Sequence, residues 1–213
     1  KLTGELRASI EAAPTLQQVE DLYLPYRPKR RTRATVARER GLEPLAELMT
    51  AQVPNAAVEL LAQRFLSAEV TSVEEALAGA RDIVAEQISE DAIVREIARR
   101  ATQEEGLLRV RLARQDGDPA GKYQMYHDFK TPVGQAPAHQ LLAINRGEKE
   151  GLLKVTLDAP EDLILGQIES RAVHTPTSPF APHLRLAVED GYSRLVAPAI
   201  ERDVGFVLGD RPA

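Results

Sequence analysis

At Gly106 the hydrophobic period of the chain changes, and this constrains the fold more than any other feature of the sequence. Before it, apolar residues recur at the three-to-four spacing of amphipathic helices. After it, "LLRVRLAR" (residues 107–114) alternates Leu108, Val110 and Leu112 against Arg109 and Arg111, the period of a half-exposed strand. "LLKVTLD" (residues 152–158) repeats the alternation. The simplest arrangement pairs residues 107–113 with 152–157 as an antiparallel ribbon. The ribbon closes over a Tyr/His/Phe-rich linker (123–129), Pro137 and a helix over 138–145. Asp116-Gly117 and Asp118-Pro119 mark a turn after the first strand.

The first 106 residues read as short helices with brief connectors. Thr15 with Gln18 forms a capping box ahead of "LQQVEDLYL", where Leu16, Val19, Leu22 and Tyr23 share a face. Pro25 and Pro28 end that helix in a stiff extended turn. A helix over 34–40 stops at Gly41, "EPLAELM" starts another, and Pro54-Asn55 precede "AAVELLAQRFL". Ser72 with Glu75 caps a helix that Ser89 breaks, and the next runs to Gly106. Beyond the ribbon, a helix over 163–171, a loop with three prolines and a helix from 183 to about 197 complete the chain. The expected fold class is mainly α, an extended array of short helices with one small antiparallel β ribbon. The expected divisions are a helical region (1–106) with a helix-turn-helix-like segment, the ribbon with its excursion (107–158), and a C-terminal helical region (159–213).

Cysteine is absent, which excludes disulfides, thiolate metal sites and cysteine nucleophiles. With 43% hydrophobic and 28% charged residues, no membrane-length apolar run and no signal peptide, a cytoplasmic globular protein is expected. Both ends look cut, so a piece of a larger protein is expected.

The formal net charge is −5, yet it is distributed unevenly. Residues 27–40 hold seven basic residues and one acid, against 20 basic and 31 acidic residues elsewhere. Arg27, Lys29, Arg30, Arg31 and Arg33 crowd around Pro28 behind Tyr23 and Tyr26. Arginine offers a planar fork that matches phosphate oxygens in pairs, and proline stiffness lowers the ordering cost of binding. Tyr26 is placed to stack a base or to pack beneath the loop. Two readings stay open: a patch for nucleic-acid phosphates, or a hinge bolted ionically to neighbouring helices.

"EDLYLPYRPKRRTRATVARERGLEPLA" (20–46) resembles the signature of the Tex family of bacterial transcription accessory proteins, and "PAHQLLAINRGEKEGLLKVTL" (137–157) resembles the same family in the expected order. The resemblance covers nearly the whole chain. It implies the helical region that precedes the family's RNase-H-like domain, including a helix-turn-helix segment. The family's first helices, its helix-hairpin-helix elements and its C-terminal OB-fold RNA-binding domain would lie outside this chain. Ala138 stands where the family's pattern has serine, which argues against hydroxyl chemistry there.

The remaining candidates are weaker as chemistry. His127, His139, His174 and His183 show no HxxxH or HExxH spacing, and no GxxxxGKS/T loop exists. His139 reads as a helix-entry residue bonded to backbone. Asn145, Arg146 and Gly147 read as a helix C-terminus with glycine in the left-handed region. In the helix-turn-helix outline, Arg95 and Arg99 lie one turn apart on one face, where a recognition helix would present them to a groove. Glu90, Asp91, Glu104 and Glu105 bracket that helix with opposing charge. No catalytic set, metal site or cofactor is expected. The expected function is a noncatalytic nucleic-acid-associated module, binding RNA or DNA without reading sequence and working beside the transcription machinery. The alternative is a protein-interaction scaffold that positions other domains. No membrane partner is expected, and the oligomeric state is left open.

Overall fold

A computed structural model describes residues 3–27, 31–114, 117–118 and 120–209. The fold is mainly α with one small antiparallel sheet. It divides into two compact units, Lys1–Ile97 with Leu165–Ala197, and Ala98–Ile164 with Pro198–Ala213.

The first unit begins with α1 (Gly4–Ala12) and α2 (Leu16–Tyr23), followed by a single 3₁₀ turn, Leu24–Tyr26. Helices α3 (Arg33–Glu39), α4 (Glu43–Ala51) and α5 (Val58–Gln63) lead to the long α6 (Val73–Glu90) and to α7 (Ala92–Glu105). Ser72 caps α6, its Oγ accepting the Glu75 N–H at 3.1 Å, while Glu75 reaches back to the Thr71 N–H at 2.9 Å. The buried side of α6 is small and broad: Ala76, Leu77, Ala80, Ile83, Val84 and Ala85. That low profile lets α3, α4, α5 and α10 (Ala181–Gly191) pack around it with Leu42, Leu45, Met49, Phe180 and Leu184 as the filling. Gly191 marks a close approach of α10 to α6, since a Cβ added there would stand 2.9 Å from the Ala85 carbonyl oxygen.

Three sequence expectations shift here. Ser89 does not break α6: it is buried inside the helix with its hydroxyl donating to the Glu86 carbonyl at 2.7 Å, and the break falls at Asp91. On α2 the buried residue is Asp21, whereas Leu16 and Tyr23 are exposed, because an ion pair rather than an apolar stripe docks this helix. The last helix also runs further than expected. From α10 the chain continues through a π-helical turn, Tyr192–Val196, into α11 (Ala197–Gly209).

The second unit holds the sheet. Strand β1 (Leu107–Leu112) lies in the centre, with β2 (Asp128–Pro132) on one side and β3 (Leu153–Asp158) on the other, all antiparallel. The expected pairing of the two alternating segments is present, with Leu108 opposite Leu157, Val110 opposite Val155 and Leu112 opposite Leu153. The third strand was not expected: β2 is five residues long and ends in proline, which a sheet tolerates at an edge. One face of β1 buries Leu108 and Val110 in a core that also holds Leu153, Tyr123, Tyr126, Leu141 and Ile144. Tyr126 meets Phe129 edge-on at 5.4 Å.

Helix α8 (Ala138–Lys149) packs on β3, and Gly147 lies inside it rather than at its end. A Cβ at Gly147 would fall 2.6 Å from Leu153 Cδ1 and 3.2 Å from the Tyr123 ring, so glycine here serves close packing. The left-handed residue that ends the helix is Gly151, φ 71°. Helix α9 (Glu161–Ala172) follows the sheet. Among the described residues no helix is long and apolar enough to cross a membrane.

Candidate nucleic-acid interface

Among the described basic residues of the stretch, Arg38 turns inward, and Arg27, Arg31, Arg33 and Arg40 are exposed. Thr32 caps α3, its Oγ1 accepting the Thr35 N–H at 3.0 Å and donating to Glu86 Oε1 at 2.8 Å. One turn later Arg38 Nη1 donates to Glu86 Oε2 at 2.6 Å, and its Nε lies 3.3 Å from Glu43. Glu86 is buried on α6, so this three-residue cluster fastens α3 to it. Arg40 reaches Glu75 at 3.0 Å. The ionic fastening of this stretch thus lies at Arg38, downstream of residues 27–33.

Upstream the picture differs. Arg27, Tyr23 and Tyr26 are exposed. The Arg31 side chain is 71% exposed and meets Glu39 at 3.0 Å in open solvent, a geometry worth little. Arg33 is 64% exposed and stands 3.9 Å from Asp190. Asp190 is itself held below the usual carboxylate range by hydrogen bonds from Arg194, whose Nη2 approaches at 2.5 Å. Burial pushes neighbouring Asp82 upward, against the pull of Arg33 and Arg194. Lys29 and Arg30 lie outside the described residues.

The recognition-helix expectation for α7 needs correction. Arg95 is 8% exposed and donates from Nε to Asp21 Oδ1 at 2.5 Å. Arg99 is also 8% exposed and lies 3.5 Å from Asp203. Both guanidinium groups are spent on internal carboxylates, as the desolvation cost of a buried charge requires, and neither is presented to a groove. The i,i+4 spacing marked a shared face, but that face is turned inward.

The histidines take structural positions. His127 Nε2 lies 3.0 Å from Asp118, whose side chain is 2% exposed and accepts the N–H groups of Lys122 (2.9 Å) and Tyr123 (2.6 Å). Desolvation would raise that carboxyl, but the hydrogen bonds from Tyr123, His127 and Lys122 outweigh it and hold it below its usual range. His174 meets Gln52 at 2.7 Å. His183 Nδ1 lies 3.2 Å from Arg81. His139 is exposed at the start of α8, a helix-entry residue as expected, but its side chain makes no hydrogen bond to backbone or to any other described residue. Among those residues no three histidine or carboxylate groups gather as a metal site.

A family model described as Tex central region-like matches residues 53–197. The chain belongs to the Tex family. It is 40% identical over 168 residues to the transcriptional accessory protein Tex of Neisseria gonorrhoeae, covering 78% of this chain and 22% of that protein. It is 38% identical over 214 residues to the uncharacterized protein YdcI of Bacillus subtilis strain 168, covering 99% of this chain and 30% of the relative. Protein tex of Bordetella pertussis is 39% identical over 165 residues, covering 76% and 21%. The chain thus spans less than a third of the length of these relatives.

Proposed function

We propose that this chain is a noncatalytic, nucleic-acid-associated module of a Tex-family transcription accessory protein, acting beside the transcription machinery in the cytoplasm. The proposed contact residues are Arg27, Lys29, Arg30, Arg31 and Arg33, with Tyr26; of the described ones, Tyr26, Arg27, Arg31 and Arg33 are exposed. The observation that carries this reading is the division of labour among arginines. Arg38 is partly buried and held by Glu86 of α6, whereas Arg27, Arg31 and Arg33 remain exposed. A relative whose name describes a transcriptional accessory protein supports the setting.

The test is fluorescence-anisotropy binding of the chain to single-stranded RNA and duplex DNA across a salt series. Five phosphate contacts on a single strand give a slope of log K against log salt of about −3.5, from roughly −0.7 per contact. The Arg27→Glu/Arg31→Glu variant should weaken binding to all sequences about equally and flatten the slope by about 1.4. A slope untouched by that variant refutes the reading. It would favour the scaffold alternative, which the acidic balance of the chain, with its pI near 5.5, recommends.

A further inference from the structure

The solvent face of the sheet carries a basic track. Side chains alternate along β1, so Arg109 and Arg111 point away from the core that Leu108 and Val110 enter, and both are exposed. The register places Arg109 between Lys130 of β2 and Thr156 of β3. It places Arg111 between Asp128 and Lys154. Lys130 and Lys154 are exposed as well. The four cations therefore run obliquely across the three strands in the order Lys130, Arg109, Arg111, Lys154. Asp128 and Asp158 flank the track at opposite corners, and Asp158 pairs with Arg109. Among the described residues, no carboxylate forms an ion pair with Arg111, Lys130 or Lys154.

Two features of this face call for an anion. Like charges stand directly opposite each other twice, Arg109 against Lys130 and Arg111 against Lys154, an arrangement that destabilises a sheet unless something neutralises it. The track is also linear. Strands about 4.8 Å apart and residues about 3.4 Å apart put its ends roughly 12 Å from one another. Arg109 and Arg111 stand about 6.8 Å apart along β1, a separation close to that of successive phosphates on an extended strand.

We infer that this face is a second nucleic-acid contact, holding the phosphate backbone of a single strand along the track from Lys130 to Lys154. The identity of the ligand rests on the nucleic-acid association proposed above, whereas the site is separate from residues 27–33. The flanking aspartates suit a narrow polyanion and oppose a flat anionic membrane. Phe129 lies on the core side of β2, so no aromatic ring among the strand residues of the exposed face offers a base a stacking platform, and binding is indifferent to sequence.

The experiment uses the whole chain, a labelled uridine oligonucleotide and a salt series. Lys130→Gln/Lys154→Gln removes one member of each like-charge pair, so its melting temperature should equal or exceed that of the parent. Its affinity should fall, and the salt slope should flatten by about 1.4. The loss should add to that of Arg27→Glu/Arg31→Glu. If the lysine variant leaves the slope unchanged while the arginine variant flattens it, the sheet inference fails and the proposed function stands. If only the lysine variant flattens it, the sheet is the contact and the assignment to residues 27–33 falls. If the parent chain does not bind the oligonucleotide at low salt, both are overturned. Equal binding of a polyglutamate of matched charge, lost equally in the lysine variant, overturns the nucleic-acid assignment of the face.

Discussion

Replacing Asp21 by alanine takes a carboxylate away from the Arg95 guanidinium in a place where water barely reaches. The two side chains are 4% and 10% exposed and meet at 2.5 Å, linking α2 to α7. A buried pair of this kind contributes little net stability relative to an apolar pair of the same volume, but breaking it from one side costs about 3–5 kcal/mol. At a urea dependence of roughly 2 kcal/mol per molar, the unfolding midpoint should drop by about 1.5–2.5 M. Arg95→Met should cost a similar amount. The double replacement should be more stable than either single one, and nucleic-acid affinity should match the parent in all three. Urea unfolding followed by far-ultraviolet circular dichroism supplies the cycle. Single losses below about 1 kcal/mol, or a double loss equal to the sum of the singles, would refute the argument that this pair docks α2.

Other expectations follow from equally local geometry. Burial and the adjacent Arg81 guanidinium hold the His183 imidazole below its ordinary range, against the pull of Glu74 and Glu59. Stability linked to His183 is therefore complete above pH 6.5 and is lost as pH falls through the lower folded value, so His183→Gln should flatten the melting-temperature profile below pH 6.5. Gly191→Ala drives a methyl toward the Ala85 carbonyl and should cost about 1–3 kcal/mol in urea unfolding. Gln52 is buried with φ 52°, donating to the Ala172 carbonyl at 2.8 Å and accepting the Thr175 N–H at 2.9 Å. Gln52→Ala should cost about 1–3 kcal/mol and accelerate hydrogen exchange at the Thr175 amide.

What the sequence disclosed was local or strictly periodic. The switch at Gly106 located β1 and β3, and Ser72 announced the start of α6 through its own hydroxyl. What it hid depends on partners far along the chain. Nothing near Arg95 reveals that Asp21, 74 residues earlier, neutralises it. Gly147 and Gly151 look interchangeable in "INRGEKEG", and only the nearness of Leu153 and Tyr123 makes the first a packing residue. The basic stretch was visible as a cluster, but not that Glu86, 48 residues beyond Arg38, turns that one arginine inward. On the sheet, the alternation of Arg109 and Arg111 was plain, while Lys130 and Lys154 joined them only once the register was known.

The interrupted course of the first unit also has a consequence for synthesis. Helix α6 emerges early, but α10, which must cover the flank around Ala85, follows about a hundred residues later, after the whole sheet has been made. At translation rates of about 5–20 residues per second, that flank waits roughly 5–20 s with its alanines and valines uncovered. During this interval the nascent chain offers a smooth apolar helix surface to chaperones, proteases and neighbouring ribosomes. The sheet can complete itself meanwhile, because β1, β2 and β3 all lie within the intervening segment. The sheet is thus free to form before the helices of the first unit are all made.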